Sequence, residues 1–261
     1  MNDEIKKNQS YYFYVSVTIE IESLDQLAAL AKIKNEKIDA DGPPKNVIST
    51  QGLYRGQSKE YPLIPKTYRG KFRLSGEIEN DTTKQFAYFV ENQELSKFIE
   101  IGRKQNKDFP TTEVQQMVLA QHYGIATPLL DWTKNILVAV YFALDLKLDI
   151  DNGEEPCFIY HIASENLLTK MPETDFYKIN DLCYVIPGPI DRRVVRQHGC
   201  FTFHPNPKQF TKDKIPVVKY VLNLELKLKL WKFLESIGLT SHYLFPDYAG
   251  LANFIQAKKM L

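Results

Sequence analysis

Cysteine is scarce in this chain: Cys157, Cys183 and Cys200 are the full set, with no CxxC pair among them. An odd count without metal spacing argues against a disulfide framework or a zinc site, and for free thiols in a reducing compartment. Charge of one sign is missing too. Lys and Arg total 33 against 32 Asp and Glu, a net charge of +1. Proteins that bind duplex phosphate carry a basic excess, so general duplex DNA binding is excluded and any nucleic-acid contact must be local. No apolar run approaches the roughly 18 residues of a membrane-spanning helix, and the opening MNDEIKKNQS has no apolar segment of a secretion signal. The expectation is a cytoplasmic protein that makes no use of a membrane. His122, His161, His198, His204 and His242 form no HxxxH pair, so no metal is expected. GxSxG, Walker A, GxGxxG and HExxH are all absent, which removes the familiar hydrolase, P-loop, dinucleotide-fold and zinc-protease readings.

What is present is enough to build a core. Hydrophobic residues make up 44% of the chain, the level of an ordinary globular protein. The stretch 11–21, YYFYVSVTIEI, is aromatic and β-branched and reads as a strand. Residues 23–33 follow with helical spacing at Leu24, Leu27, Ala28 and Ala31 behind Ser23 as a cap. A polar loop at 35–46 leads to a strand within 47–58 that ends on Tyr54-Arg55-Gly56. Two prolines in 61–69 argue against a regular helix there. From 77 to about 124 the pattern is helical, with a cap at Thr111 or Thr112. A buried helix is predicted over 135–146, a strand over 155–163, an irregular stretch to about 189, then a short helix or turn and a strand near Cys200–Phe203. Residues 214–238 fit both periods; we read a strand to Leu222 and a helix beyond it. A turn and a short helix fill 244–256. No repeat, low-complexity segment or linker divides the chain. The expectation is a single α+β domain over 1–261, a mixed or antiparallel sheet with a helical insertion at about 77–124.

Three short stretches carry chemistry. In LYRGQ (53–57), Arg55 stands between an aromatic residue and a glycine. A guanidinium there offers a planar fork for phosphate or carboxylate, and Gly56 lets a ligand or a backbone come close. Arg55 could equally pair with a structural carboxylate such as Asp131. In LLDWTKN (129–135), Asp131 or Thr133 fits an N-cap for the helix starting near Asn135, with Trp132 as an apolar pocket wall. His122 is either a hydrogen-bonded structural residue or a proton acceptor. The basic stretch Arg192 to His198 is either a solvated turn or a source of site residues, Gln197 among them.

Taken together and in order, LYRGQ, QHYGIATPLLDWTKNILVAVYFA, RQHGCFT and LFPDYAGLANFI resemble the FRG domain, a family named for an aromatic-Arg-Gly motif, here Tyr54-Arg55-Gly56. The resemblance runs from about Leu24 to Ile255. It departs at Ala126-Thr127-Pro128, where relatives usually carry Pro-Thr and a basic residue. FRG domains occur in bacteria and phages near defence and toxin-like genes, which implies a toxin or antiphage effector. The order of motifs also resembles the layout of ADP-ribosyltransferases. That layout implies NAD as the cofactor and a protein or RNA acceptor. Arg55 would hold the pyrophosphate or ribose, assisted by Tyr54, Gly56, Gln57, Thr127 and Thr133. Trp132 or Tyr141 would pack on the nicotinamide, Gln197 or Asp131 would hold a ribose hydroxyl, and His122 would take a proton from the acceptor. The other reading is a non-catalytic module binding a protein or RNA partner. An enzyme should gather Arg55, His122, Asp131 and Gln197 around one concave pocket, with Arg55 and Asp131 within a salt bridge or a ligand's width. A binding module should pair them off and expose an apolar patch elsewhere.

Overall fold

The order of elements alternates strands with helices that return to the same sheet. A computed structural model describes residues 12–32, 52–69, 93–144, 155–188, 190–205 and 214–257. In chain order these form β1 (Phe13–Ile21), α1 (Leu24–Lys32), β2 (Gly52–Gln57), the single turn α2 (Lys66–Arg69), α3 (Gln93–Gln105), α4 (Glu113–His122), β3 (Leu129–Thr133) and α5 (Ile136–Leu144). They continue with β4 (Cys157–Ala163), β5 (Leu168–Lys170), β6 (Cys183–Val185), α6 (Arg192–Arg196), β7 (Gly199–Phe203), β8 (Ile215–Leu222), α7 (Leu224–Ser236), α8 (Ser241–Leu244) and α9 (Tyr248–Ala257). The strands form one mixed sheet in the order β1-β8-β4-β2-β3-β7-β6-β5. Pairing is parallel at the two edges and antiparallel between them. The fold is α+β with a mixed sheet.

Alternation along the strands divides the core. Leu53, Trp132, Phe158, Tyr160 and Val217 belong to a core on one face. Residues one step out of phase, Tyr54, Ile159 and Tyr220, pack against α5 and α7 through Ile136, Ala139, Val140, Leu226, Leu230 and Leu234. Further along this second face, Leu129, Phe201, Phe203 and Val185 pack on Val114, Met117 and Val118 of α4. Two groups of helices therefore cover the face. Between them the sheet opens. β2 and β3 share one registered pair, Tyr54 opposite Thr133, whereas β2 and β4 share six.

The ambiguous segment 214–238 resolves at Asn223, whose Oδ1 accepts from the Leu226 N–H at 2.9 Å. That cap ends β8 and starts α7, with Leu226, Leu230 and Leu234 inward. Other expectations change. Neither Asp131 nor Thr133 caps the following helix, because both lie in β3. Asn135 is the cap: its Oδ1 accepts from Leu137 N–H at 3.0 Å. Four of the five residues of LLDWT are buried, so the strand merges in sequence with the apolar helix after it. The prolines of 61–69 precede a helical turn instead of preventing one, since Tyr68 N–H bonds to the Pro65 carbonyl. Thr112 holds the N-cap position of α4 without a side-chain hydrogen bond. The stretch read as irregular contains β5 and β6, three residues each and too short to display a period. The expected residues 47–51, 77–92 and 145–146 of their elements lie outside the described residues.

Two buried histidines set an acid limit on stability. His161 is 3% exposed, stacks on Tyr54 at 4.8 Å, and neither ring nitrogen bonds to a described residue. Burial pushes it from 6.5 down to about 4. His204 is fully buried, and burial, with a smaller contribution from Arg55, takes it to about 3. Both stay neutral in the fold, while an unfolded imidazole protonates near 6.5. Below that pH the unfolded chain binds more protons, so stability falls as pH drops from 6.5 towards 4. The slope reaches about 1.4 kcal/mol per pH unit for each histidine. Urea melts at pH 7.0, 6.0 and 5.0 read this directly; a flat unfolding free energy over that range contradicts it.

Candidate functional site

The opening between β2 and β3 is a cleft of about 490 Å³, within the range of small-ligand sites. Arg55 spans it. Its Nη1 donates to the Asp131 carbonyl at 2.9 Å and lies 3.6 Å from Asp131 Oδ2. The arginine thus satisfies a strand carbonyl where the two strands part. With the Gln57 amide turned so that donors meet acceptors, Gln57 Oε1 accepts from Arg55 Nε at 3.2 Å and Nε2 donates to the Tyr61 carbonyl at 2.9 Å. Among the described residues, nothing accepts from Arg55 Nη2. The side chain is 16% exposed, and Asp131 is 55% exposed. Burial lowers the guanidinium pKa most; Asp131 raises it, and Arg69, also lining the cleft, lowers it further. Two guanidiniums, Arg55 and Arg69, thus line the same cleft.

Gln121 fixes the carboxylate. Its Nε2 donates to Asp131 Oδ1 at 2.7 Å, and its Oε1 accepts from the Thr127 hydroxyl. The next residue, His122, presents a ring to the cleft with Nδ1 2.7 Å from Asp191 Oδ2. The other oxygen of Asp191 caps α6 by accepting from Val194 N–H at 3.0 Å, so the carboxylate that holds the ring is itself held. Burial acts to raise the Asp191 pKa, but the His122 and Val194 hydrogen bonds bring it below the ordinary carboxylate value.

The far wall comes from the C-terminal segment. Arg193 pairs with Asp247, its Nε 2.9 Å from Oδ2, while Asp247 Oδ1 accepts from Gly250 N–H at the start of α9. Phe245 lines the cleft beside Phe142, edge to face at 6.0 Å. Gln197 Nε2 donates to the Leu244 carbonyl at 3.1 Å, and its carbonyl accepts from Thr133 Oγ1 at 2.6 Å.

Arg55, His122, Asp131 and Gln197 thus line one cleft, as do Tyr54, Gly56, Gln57, Trp132 and Thr133. Arg55 and Asp131 lie a salt bridge apart, as the sequence led us to expect. Thr127 is fully buried behind Gln121. Tyr141 packs into the core under α5 and α7, and Phe142 is the aromatic of that helix that reaches the cleft. Trp132 is 3% exposed, with its indole N–H on Thr202 Oγ1 at 2.9 Å. The exposed rings are Tyr61 and Phe142. Gly56 admits a backbone: a Cβ there would stand 1.8 Å from the Ala139 carbonyl oxygen and 2.6 Å from Ala143 N. Sequence reasoning missed Gln121, Asp191, Arg69, Tyr61, Phe142 and the Arg193–Asp247 pair. QH at 121–122 was a visible polar pair, but only His122 was taken up.

Among the described residues, no group of three His, Cys, Asp or Glu side chains is arranged to hold a metal, and no helix is long and apolar enough to cross a membrane. The three cysteines are free and buried. Burial pushes Cys157 to about 11 and Cys183 and Cys200 to about 12, so none is a thiolate at neutral pH.

The fold and the cleft define a mixed-sheet α+β protein whose sheet parts around a tethered arginine. Residues 50–152, which hold β2, α4, β3 and α5, match the FRG domain family. The chain carries an FRG domain there, and Arg55, His122 and Asp131 fall within it while Asp191, Arg193 and Gln197 fall outside. No curated protein and no solved structure matches the chain.

Proposed function

We propose that the cleft binds a dinucleotide of the NAD type and transfers its ADP-ribosyl group to an acceptor. The observation that carries this reading is the Arg55–Arg69 pair. One guanidinium is tethered and still has Nη2 to donate, with a second cation beside it, in a cleft walled by exposed aromatic rings. A diphosphate suits the arginines through paired N–H donors, and a planar ring suits Tyr61 or Phe142. NAD supplies an activated ribose whose bond to nicotinamide breaks as the acceptor's bond forms, the electron pair leaving with neutral nicotinamide. His122, oriented by Asp191, takes the proton that the acceptor loses. Asp131 faces the positive charge that builds on the ribose, and Gln197 braces the wall through Leu244. The cellular role that goes with this chemistry is a toxin or antiphage effector.

The other reading, a module that binds a protein or RNA partner, has two observations in its favour: Arg55 is paired with Asp131 and His122 with Asp191, and an apolar patch is exposed elsewhere. Tyr248, Leu251 and Ile255 form an exposed apolar stripe along α9. A melting scan separates the two. NAD at about 100 times its dissociation constant stabilises the fold by roughly 2.7 kcal/mol. The expected result is a raised Tm with NAD. Unmoved melts with NAD, ADP-ribose, ATP and GTP overturn the dinucleotide reading in favour of the module.

A further inference from the structure

β1 ends the sheet, and its outer edge pairs with nothing among the described residues. The outward N–H and carbonyl groups of an edge strand can pair with another chain, and folded proteins blunt them with a short strand, a lysine, a proline or a covering helix. β1 is nine residues long, has neither lysine nor proline, and is exposed at every position between Phe13 and Ile21. Its register shifts at a bulge between Val15 and Val17, where Ser16 Oγ donates to the Val217 carbonyl at 3.2 Å. A bulge can spoil an edge for pairing. This one changes the phase of the side chains instead. Val15 stands beside Val217 of the first core, so Tyr14 points to the other, helix-covered face. Val17 and Ile19 stand beside Val218 and Tyr220, which belong to that same helix-covered face. Regular alternation would put Tyr14 and Val17 on opposite faces. Ile21, at the end of the row, is buried with Leu27 of α1, whereas Tyr14 is 49%, Val17 48% and Ile19 36% exposed. The core on this face thus runs out into an apolar row on an unpaired edge.

We infer that β1 is a dimerisation edge and that its occupant is β1 of a second copy of this chain, running antiparallel. Charge selects the direction. Glu20 is the sole charged side chain of the strand. Parallel copies in register would set Glu20 against Glu20, a repulsive pair. Antiparallel copies with Tyr14 of one beside Ile19 of the other set Glu20 beside the uncharged Phe13. That register also keeps the two apolar rows on one side of a continuous sheet. It is self-complementary, because a two-fold axis between Ser16 and Val17 exchanges Tyr14 with Ile19, and the contact closes at two chains.

The experiment is sedimentation velocity of the full chain from dilute to concentrated solution, with hydrogen exchange of the β1 amides at both extremes, for the unaltered protein and for Val17→Lys. Wild type is expected to double in mass as concentration rises, and its outward β1 amides to exchange more slowly in the concentrated sample. Val17→Lys alters an exposed side chain and sets two ammonium groups near the axis. It is expected to stay monomeric throughout with its Tm unchanged. A wild type that is monomeric at every concentration overturns the inference and leaves the edge to a partner of another sequence; this arm needs no variant. Growth beyond two chains overturns the two-fold arrangement. A dimer whose β1 amides exchange equally at both extremes, or one that persists in Val17→Lys, makes its contact elsewhere and overturns the inference as well.

Discussion

Arg55→Lys should abolish the effect of NAD on melting while lowering the Tm of the free protein only slightly. The asymmetry follows from how the guanidinium divides its donors. One N–H of Arg55 serves the Asp131 carbonyl, a bond an ammonium can replace, at a net loss of about 1 kcal/mol with the Gln57 contact gone. The remaining face of the planar fork has no counterpart in lysine. Paired donation to a phosphate then fails, and activity or affinity falls by about 10²-fold or more, the scale of removing one positioned donor. Melting curves with and without NAD, together with nicotinamide release, read both halves. A variant that melts several degrees lower yet keeps its NAD-dependent shift would make Arg55 a strand tether and remove it from the site. A stable, fully active variant would remove it from both roles.

Gly56→Ala should produce the largest loss of stability of any single methyl added to the cleft wall. The added Cβ would lie 1.8 Å from the Ala139 carbonyl oxygen and 2.6 Å from Ala143 N. These are backbone atoms of α5, so no side chain can turn aside to relieve the contact. β2 runs in the middle of the sheet and α5 is anchored by Ile136, Ala139, Val140 and Ala143, all buried. One of the two must shift as a unit. Overpacking of this kind costs about 3 kcal/mol or more, which for a chain of this size lowers Tm by roughly 6–12 °C. Urea unfolding measures it. An unchanged Tm with lost ligand binding would mean instead that the glycine leaves room for the ligand and not for the helix.

The residues of the cleft differ in how far sequence alone reaches them. Arg55, His122, Asp131 and Gln197 were visible because each sits in a short run whose residue types are expensive to place without purpose: a cation beside glycine, an imidazole after an amide, an acid beside an indole. Asp191, in contrast, reads as an ordinary helix cap, which it is. Its second oxygen meets His122 from 69 positions away, a distance at which local pattern says nothing. Gln121 looked like the polar end of a helix until β3 brought Asp131 to it. Trp132 and Tyr141 suggested aromatic walls by type, but rotation along the strand and the helix points Trp132 and Tyr141 into the core and leaves Phe142 at the cleft.

The sequence by itself determined what depends on neighbours within a few positions. The leucines at 226, 230 and 234 made one helix face, the β-branched run of β8 made a strand, and the apolar helix after Asn135 could only be buried. The charge balance, 33 basic against 32 acidic residues, leaves no excess of one sign. Tertiary structure decided the rest. It set the strand order that brings β2 beside β3, the single pair at which they meet, and the opening that Arg55 spans. It also turned LLDWT from a helix cap into a strand, because backbone pairing with β7 along all five residues outweighs the capping preference of one acid or one hydroxyl. Register and strand order arise from contacts among distant segments, and the cleft lies where two helix groups, α5 with α7 and α4, cover different parts of the same sheet face.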